Sequence, residues 1–281
     1  MSFFRVYIEI TNICGLNCSF CPPKLQPSKQ MKLHLFESIL KQIKTKEIAL
    51  HVLGDPLMNK NLLKYLDLTQ IYGFKVQLTT SGFFIKNHDF STLLHPSVSQ
   101  FNISLNSFNK NIKKISLEQY LAPIFSLIDY KLQNNIDKLI NLRLWNLNSF
   151  ESEKAFNEKV FLALKEKFGV NLKTKNAKES VRIAKKVRVH FDEYFQWPSL
   201  KNKIYPNSKC LGLNSQIAIL ADGRVVPCCL DGNGVVNLGN IKNSSLELIL
   251  KNSSKIAEDL KKGVPTEELC KRCSYRLRFK E

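Results

Sequence analysis

The chain has 281 residues, 44% of them hydrophobic and 23% charged, the balance of a globular protein with a substantial core. No run of about 18 apolar residues occurs, so a membrane-spanning helix is not expected. Forty-two Lys and Arg against 24 Asp and Glu give a net charge of +18. That excess admits a nucleic-acid partner, but the short basic runs at 110–116, 183–189 and 271–280 do not interleave aromatics as an RNA-binding face does.

The first half alternates strand and helix signals. FFRVYIEIT (3–11) alternates and is β-branched, and predicts a strand ending just before Cys14. HLFESILKQI (34–43) has helical spacing, EIALHVL (47–53) reads as a strand, and GDP (54–56) turns the chain. NLLKYLDLTQIYG (61–73) is a helix stopped at Gly73. FKVQLTT (74–80) is a strand ending at Ser81-Gly82, and VSQFNISL (98–105) is another. The segment 116–133 opens with Ser116 and Gln119 at capping-box spacing, while Pro123 inside it suggests a kink or a later start. KLINLRLWN (138–146) is a strand, and 151–169 is an amphipathic helix ending at Gly169. A final strand and linker are expected over 180–198, stopped by Pro198. A hairpin turning at Asp222-Gly223 follows, then a helix over 244–252.

Repeated β–α units imply a parallel sheet with helices outside, and in such folds the chemistry collects at the C-terminal ends of strands. Three unusual groups fall there: the cysteines 14, 18 and 21, then Gly54-Asp55-Pro56, then Ser81-Gly82. The N-terminus lacks a basic segment followed by an apolar run and a cleavage site. Eight cysteines without a signal peptide point to a reducing cytoplasm, and to metal or catalysis rather than disulfides. A C-x3-C-x2-C loop supplies three thiolates; a structural zinc site needs a fourth ligand, for which His34 and His51 are available. A four-iron cubane held by three thiolates keeps one iron open.

CGLNCSFC, with Phe20 before the last cysteine, resembles the signature of the radical S-adenosylmethionine (SAM) enzymes. The resemblance implies a 4Fe–4S cluster on Cys14, Cys18 and Cys21 whose open iron is chelated by SAM. Reduction of the cluster then yields methionine and a 5′-deoxyadenosyl radical, which removes a hydrogen atom from substrate. HVLGDP looks like the family's GGEP motif, with Leu53 for the first glycine and Asp55 for the glutamate, so Gly54, Asp55 and Pro56 are implied as SAM contacts. LTTSGFF looks like the TTNG segment, with Ser81 for asparagine. FNISLNS resembles the strand end that lines the ribose, implying Ser104 and Asn106, and Arg143 suits the SAM carboxylate by bidentate geometry. The family implies a partial, TIM-like (β/α)6 barrel as a core domain over 1–200.

The tail, 201–281, resembles a SPASM domain in its shortened twitch form, which holds one auxiliary 4Fe–4S cluster. Cys210, Cys228, Cys270 and Cys273 are the implied ligands; unaided, CxxC with two distant cysteines reads equally well as zinc. Neighbouring residues on a strand face opposite ways, which separates Cys228 from Cys229 and leaves Cys229 a packed thiol or a group facing the substrate. The implied partners are a flavodoxin- or ferredoxin-type electron donor and a substrate that is a small molecule, sugar or peptide side chain. An RNA-modifying enzyme and a non-enzymatic iron–sulfur or zinc protein are the alternatives. No catalytic acid, base or radical relay is singled out.

Overall fold

The computed structural model describes residues 2–109, 111, 115–148 and 153–279, so most of the basic run at 110–116 lies outside the described residues. The chain forms two compact units: unit 1 is Met1–Gly15, Cys21–Val76 and Phe195–Glu281, and unit 2 is Leu16–Phe20 with Gln77–Tyr194. Among the described residues no helix is long and apolar enough to cross a membrane.

The α/β class read from the sequence is the one observed. In chain order the first elements are β1 (Arg5–Ile8), α1 (Leu33–Leu40), β2 (Glu47–Ala49), a 3-10 turn at Pro56–Met58, α2 (Leu62–Ile71) and β3 (Lys75–Thr80). They continue with α3 (Phe90–Leu93), β4 (Val98–Ser104), α4 (Asn106–Asn109), α5 (Leu117–Gln133), β5 (Leu139–Trp145), α6 (Lys154–Phe168), β6 (Ser180–Ala184) and β7 (Val187–Asp192). The C-terminal part adds β8 (Gln216–Ile219), β9 (Arg224–Val226), β10 (Gly239–Asn240), α7 (Leu246–Asn252), α8 (Ser254–Lys262) and α9 (Glu268–Lys271).

In unit 1, β1 lies parallel to β2 on one side and to β8 on the other; β8–β9 and β9–β10 are antiparallel. Val6, Ile8 and Ile10 are fully buried, each contributing about 1.5–3 kcal/mol by leaving water. Arg5, Tyr7 and Glu9 take the opposite face, as strand alternation requires. Phe36 on α1 and Tyr65 on α2 meet edge to face at 5.0 Å. The hairpin expected at Asp222-Gly223 forms, with Gly223 at φ 93°, a conformation that costs glycine no steric strain.

In unit 2, β4, β5 and β7 are parallel, and β6 pairs antiparallel with β7. One face of these strands is apolar: Phe101, Ile103, Ile140, Leu142, Leu144, Val187, Val189 and Phe191 are fully buried. The other carries Asn102, Ser104, Asn141, Arg143, Trp145, Arg188 and His190. The capping box at Ser116 and Gln119 is present, and α5 runs from Leu117 through Pro123, so the later start is not taken. The single strand expected over 180–198 is instead the β6–β7 hairpin. Its turn, Lys185-Lys186, has no glycine or asparagine to announce it; Lys186 adopts φ 52° and its ammonium pairs with Asp137.

Candidate active site and auxiliary cluster site

Strand β1 leads through Glu9 and Thr11 into the cysteine loop. In unit 1 the Gly54-Asp55-Pro56 turn is packed on that lead-in: the Asp55 N–H donates to the Ile13 carbonyl at 3.0 Å. A Cβ on Gly54 would stand 1.8 Å from the Thr11 oxygen and 2.8 Å from the Asn12 Cα, so backbone meets backbone there and only glycine fits. Asp55 is buried, and its carboxylate accepts the Leu57 N–H at 3.0 Å as the cap of the 3-10 turn. That local task occupies an oxygen of the side chain that stands where the family has glutamate.

Glu9, 2% exposed, holds the same turn from beneath. One carboxylate oxygen accepts the Leu53 N–H at 3.0 Å and the other accepts the Ala221 N–H at 3.2 Å, with the Gly54 N–H as a further donor. Burial raises the Glu9 carboxyl to about 7; the three N–H groups oppose that shift and do not cancel it. The tail loop reaches the same region. A Cβ on Gly232 would collide with the Leu53 side chain at 2.3 Å. Asn233 accepts the Leu25 N–H at 3.0 Å and donates to the Pro23 carbonyl at 3.0 Å, tying the tail to the segment after Cys21. The sequence reading missed Glu9 and Asn233; an acidic residue closing the Arg5-Tyr7-Glu9 face was the available signal for the first.

Cys14 and Cys21 belong to unit 1, half-buried and exposed, and Cys18 belongs to unit 2, buried. Within unit 2, Asn111 accepts the Asn17 N–H at 2.9 Å and donates to the Cys18 sulfur at 2.9 Å. Unit 2 also places the remaining SAM candidates. Ser81 is buried, and its carbonyl accepts the Tyr120 hydroxyl at 2.6 Å. Ser104, the last residue of β4, is the register partner of Arg143 on β5. Asn106 is 4% exposed, and its Oδ1 has no partner among the described residues. The Arg143 guanidinium lies 4.5 Å over the Trp145 ring.

The tail brings its thiols together in unit 1. Burial pushes the Cys228 thiol well above its ordinary value, and Cys229, Cys210, Cys270 and Cys273 add to the rise electrostatically. Burial also raises Cys210, Cys270 and Cys273, and neighbouring thiols add to the rise at Cys270 and Cys273. Among the described residues no three His, Cys, Asp or Glu side chains are drawn up as a ready metal-ion site. Arg276 suits an anionic group held by these thiols. It is 1% exposed and forms no ion pair among the described residues. Its guanidinium donates to the carbonyls of Cys270, Ser208 and Lys271 at 2.9, 3.0 and 3.4 Å, and its charge favours the thiolates of Cys210 and Cys273. A buried cation without a carboxylate is costly unless an anionic group stands nearby.

Cys228 and Cys229 lie beyond the end of β9, so pleat alternation does not separate them; their surroundings do. Cys229, pushed up to about 11 by burial, accepts a hydrogen bond from the Tyr7 hydroxyl.

Residues 8–151 match the family model of the radical SAM superfamily, and residues 210–274 match that of the SPASM iron–sulfur cluster-binding domain. GTP 3′,8-cyclase from Campylobacter jejuni is 30% identical over 156 residues, 51% of this chain and 48% of that protein. The SAM-dependent 2-deoxy-scyllo-inosamine dehydrogenase of Niallia circulans is 23% identical over 111 residues, 36% of this chain and 44% of that one. The matched region spans about half the length of these curated relatives. Among solved structures, BtrN with AdoMet and 2-DOIA shares the fold at TM-score 0.62 and 18% identity, covering 98% of this chain and 94% of its own. SuiB of Streptococcus suis with its precursor peptide does so at 0.58 and 16%, covering 97% and 71%. SAM and a 4Fe–4S cluster are the cofactors of the matched family, and the SPASM domain adds further iron–sulfur binding. The chain belongs to the radical SAM superfamily and carries a SPASM iron–sulfur cluster-binding domain in its C-terminal part.

Proposed function

We propose that this protein is an enzyme that cleaves SAM reductively and takes a hydrogen atom from its substrate in an oxidation, rearrangement or cross-linking reaction. When bound, a reduced 4Fe–4S cluster supplies one electron to the SAM sulfonium, giving methionine and a 5′-deoxyadenosyl radical. Cys14, Cys18 and Cys21 hold that cluster and leave one iron for SAM. The carbonyls of the Gly54-Asp55-Pro56 turn receive the SAM amino group, Arg143 its carboxylate, and Ser81, Ser104 and Asn106 line its ribose. Cys210, Cys228, Cys270 and Cys273 would hold an auxiliary 4Fe–4S cluster, a group that could accept an electron or shape the pocket. A flavodoxin- or ferredoxin-type protein donates the electron. The observation that carries this reading is the packing of Gly54 on Thr11 and Asn12, which joins the SAM turn to the lead-in of the cysteine loop by backbone contact alone.

Anaerobic reconstitution, addition of SAM and dithionite, and quantification of 5′-deoxyadenosine test it. The wild-type chain should form 5′-deoxyadenosine, and Cys18→Ala should form none while keeping its far-ultraviolet circular dichroism. Undiminished product from Cys18→Ala would sink the assignment, and a wild type that forms none would favour a structural or redox-sensing iron–sulfur protein.

A further inference from the structure

The polar face of unit 2 carries an excess of guanidinium groups. Arg182 on β6 stands directly opposite Arg188 on β7 in an antiparallel pair, an arrangement that costs stability when both residues carry the same charge. Arg182 is exposed and Arg188 half-buried, and neither forms an ion pair among the described residues. The Arg188 Nε is buried without a hydrogen-bond partner among those residues. On its other side, β5 places Asn141 beside Arg188, and Arg143 beside His190. Asn141 is 3% exposed; its Nδ2 donates to Asn102 at 3.2 Å while its Oδ1 has no described partner. Trp145 Nε1 donates to His190 Nδ1 at 2.8 Å, so a neutral His190 keeps its proton on Nε2 and is itself a donor. Burial, then the charges of Arg143 and Arg188, hold His190 toward that neutral form, against the pull of Asp192.

We propose that this face binds an anionic group, a phosphate or a carboxylate, of the enzyme's substrate, with Arg188 as the principal contact and Arg182 and His190 beside it. The proposal deepens the function above and rests on it. A guanidinium offers planar, paired N–H donors that match a carboxylate or phosphate, and an anion there offsets the Arg182–Arg188 repulsion. The free acceptor of Asn141 suits a hydroxyl or amino group on the same molecule. The substrate is therefore a polar anion rather than an apolar side chain. SAM also carries a carboxylate, but Arg143, the residue assigned to it, lies two residues further along its strand than Asn141, about 6.6 Å. Arg188, level with Asn141, stands one same-face position from Arg143 along the strand direction, and a SAM-affinity measurement separates its anion from the SAM carboxylate.

Inorganic phosphate is the probe. The chain has two tryptophans, so a Trp197→Phe background isolates the emission of Trp145, which touches both His190 and Arg143. Phosphate at constant ionic strength should change that emission saturably. Arg188→Met should weaken the response about tenfold, the loss of one charge-assisted contact, and Arg188→Lys should recover part of it. SAM affinity, measured separately, should stay within about twofold in both variants. An absent wild-type response, or one unchanged in Arg188→Met, overturns the site. A tenfold loss of SAM affinity in Arg188→Met would assign the face to the SAM carboxylate and overturn the substrate reading. Failure of the wild type to form 5′-deoxyadenosine would remove the radical reading, whereas the phosphate titration decides the anion site itself.

Discussion

Glu9 makes the stability of this protein depend on pH in a way that one substitution should remove. Its carboxyl is raised from an ordinary 4.5 to about 7, with burial the largest cause, then the opposing N–H groups of Leu53, Ala221 and Gly54, and a small push from Asp222. At 2% exposure no solvent screening discounts that shift. The folded chain therefore binds more protons at this position than the unfolded chain between pH 4.5 and 7. The protonated form is the one folding favours, so the contribution is fully present below 4.5 and falls as pH rises to about 7. A shift of about 2.5 units corresponds to about 3 kcal/mol across that window. Glu9→Gln cannot titrate, and its NH2 replaces a hydroxyl oxygen that can still accept in the protonated carboxyl. Its amide would face an N–H of Ala221 or Leu53, costing about 1–3 kcal/mol. Urea unfolding of both proteins at matched cluster content, from pH 5 to pH 8, measures the difference. The variant should be the less stable at pH 5, and the gap should narrow or reverse by pH 8. A gap that is constant with pH would refute the assignment of that slope to Glu9.

Asp55→Asn should retain most of the SAM affinity, because asparagine also caps the 3-10 turn, while Gly54→Val should lose SAM binding at least tenfold by collision with Thr11; equal large losses would give the Asp55 carboxylate a direct role. Reconstituted wild type should hold about eight irons, Cys229→Ser the same, and Cys228→Ser about half, with the reverse pattern reassigning the ligand to Cys229. Arg276→Gln should lower the potential of the auxiliary cluster by roughly 60 mV, one tenfold in a one-electron equilibrium, measured by redox titration; an unchanged potential would leave Arg276 a purely structural clamp on Cys270, Ser208 and Lys271.

What could be read from the sequence was local chemistry. The Ser116–Gln119 box, the Asp222-Gly223 turn and the stop at Gly169 each carry their cause within a few residues, and each is present. The Lys185-Lys186 turn escaped because its supports are distant: the Lys131 ammonium on the Lys185 carbonyl, and Asn135 and Asp137 on the two lysines. Glu9 escaped for the same reason, since its partners are backbone N–H groups 44 and 212 residues away, which no side-chain pattern advertises. Arg276 was invisible as a buried cation because a basic tail reads as a solvated one. The pairing of β8 with β1 was equally hidden, as a parallel ladder between the chain's two ends leaves no spacing signal.

That β1–β8 ladder sets an order of events during synthesis. Strand β1 leaves the ribosome well before its neighbour β8, which is complete only at Ile219. At about 5–20 residues per second, the edge of β1 facing β8 waits roughly 10–40 s with its N–H and C=O groups unpaired. Glu9 waits with it, since the Ala221 N–H that it accepts arrives at the same time. An unpaired apolar strand edge is a template for pairing with another chain. Production of this protein should therefore be more sensitive to truncation than its modular sequence suggests: a chain ending before residue 216 loses not an appendage but the strand that closes the open edge of β1.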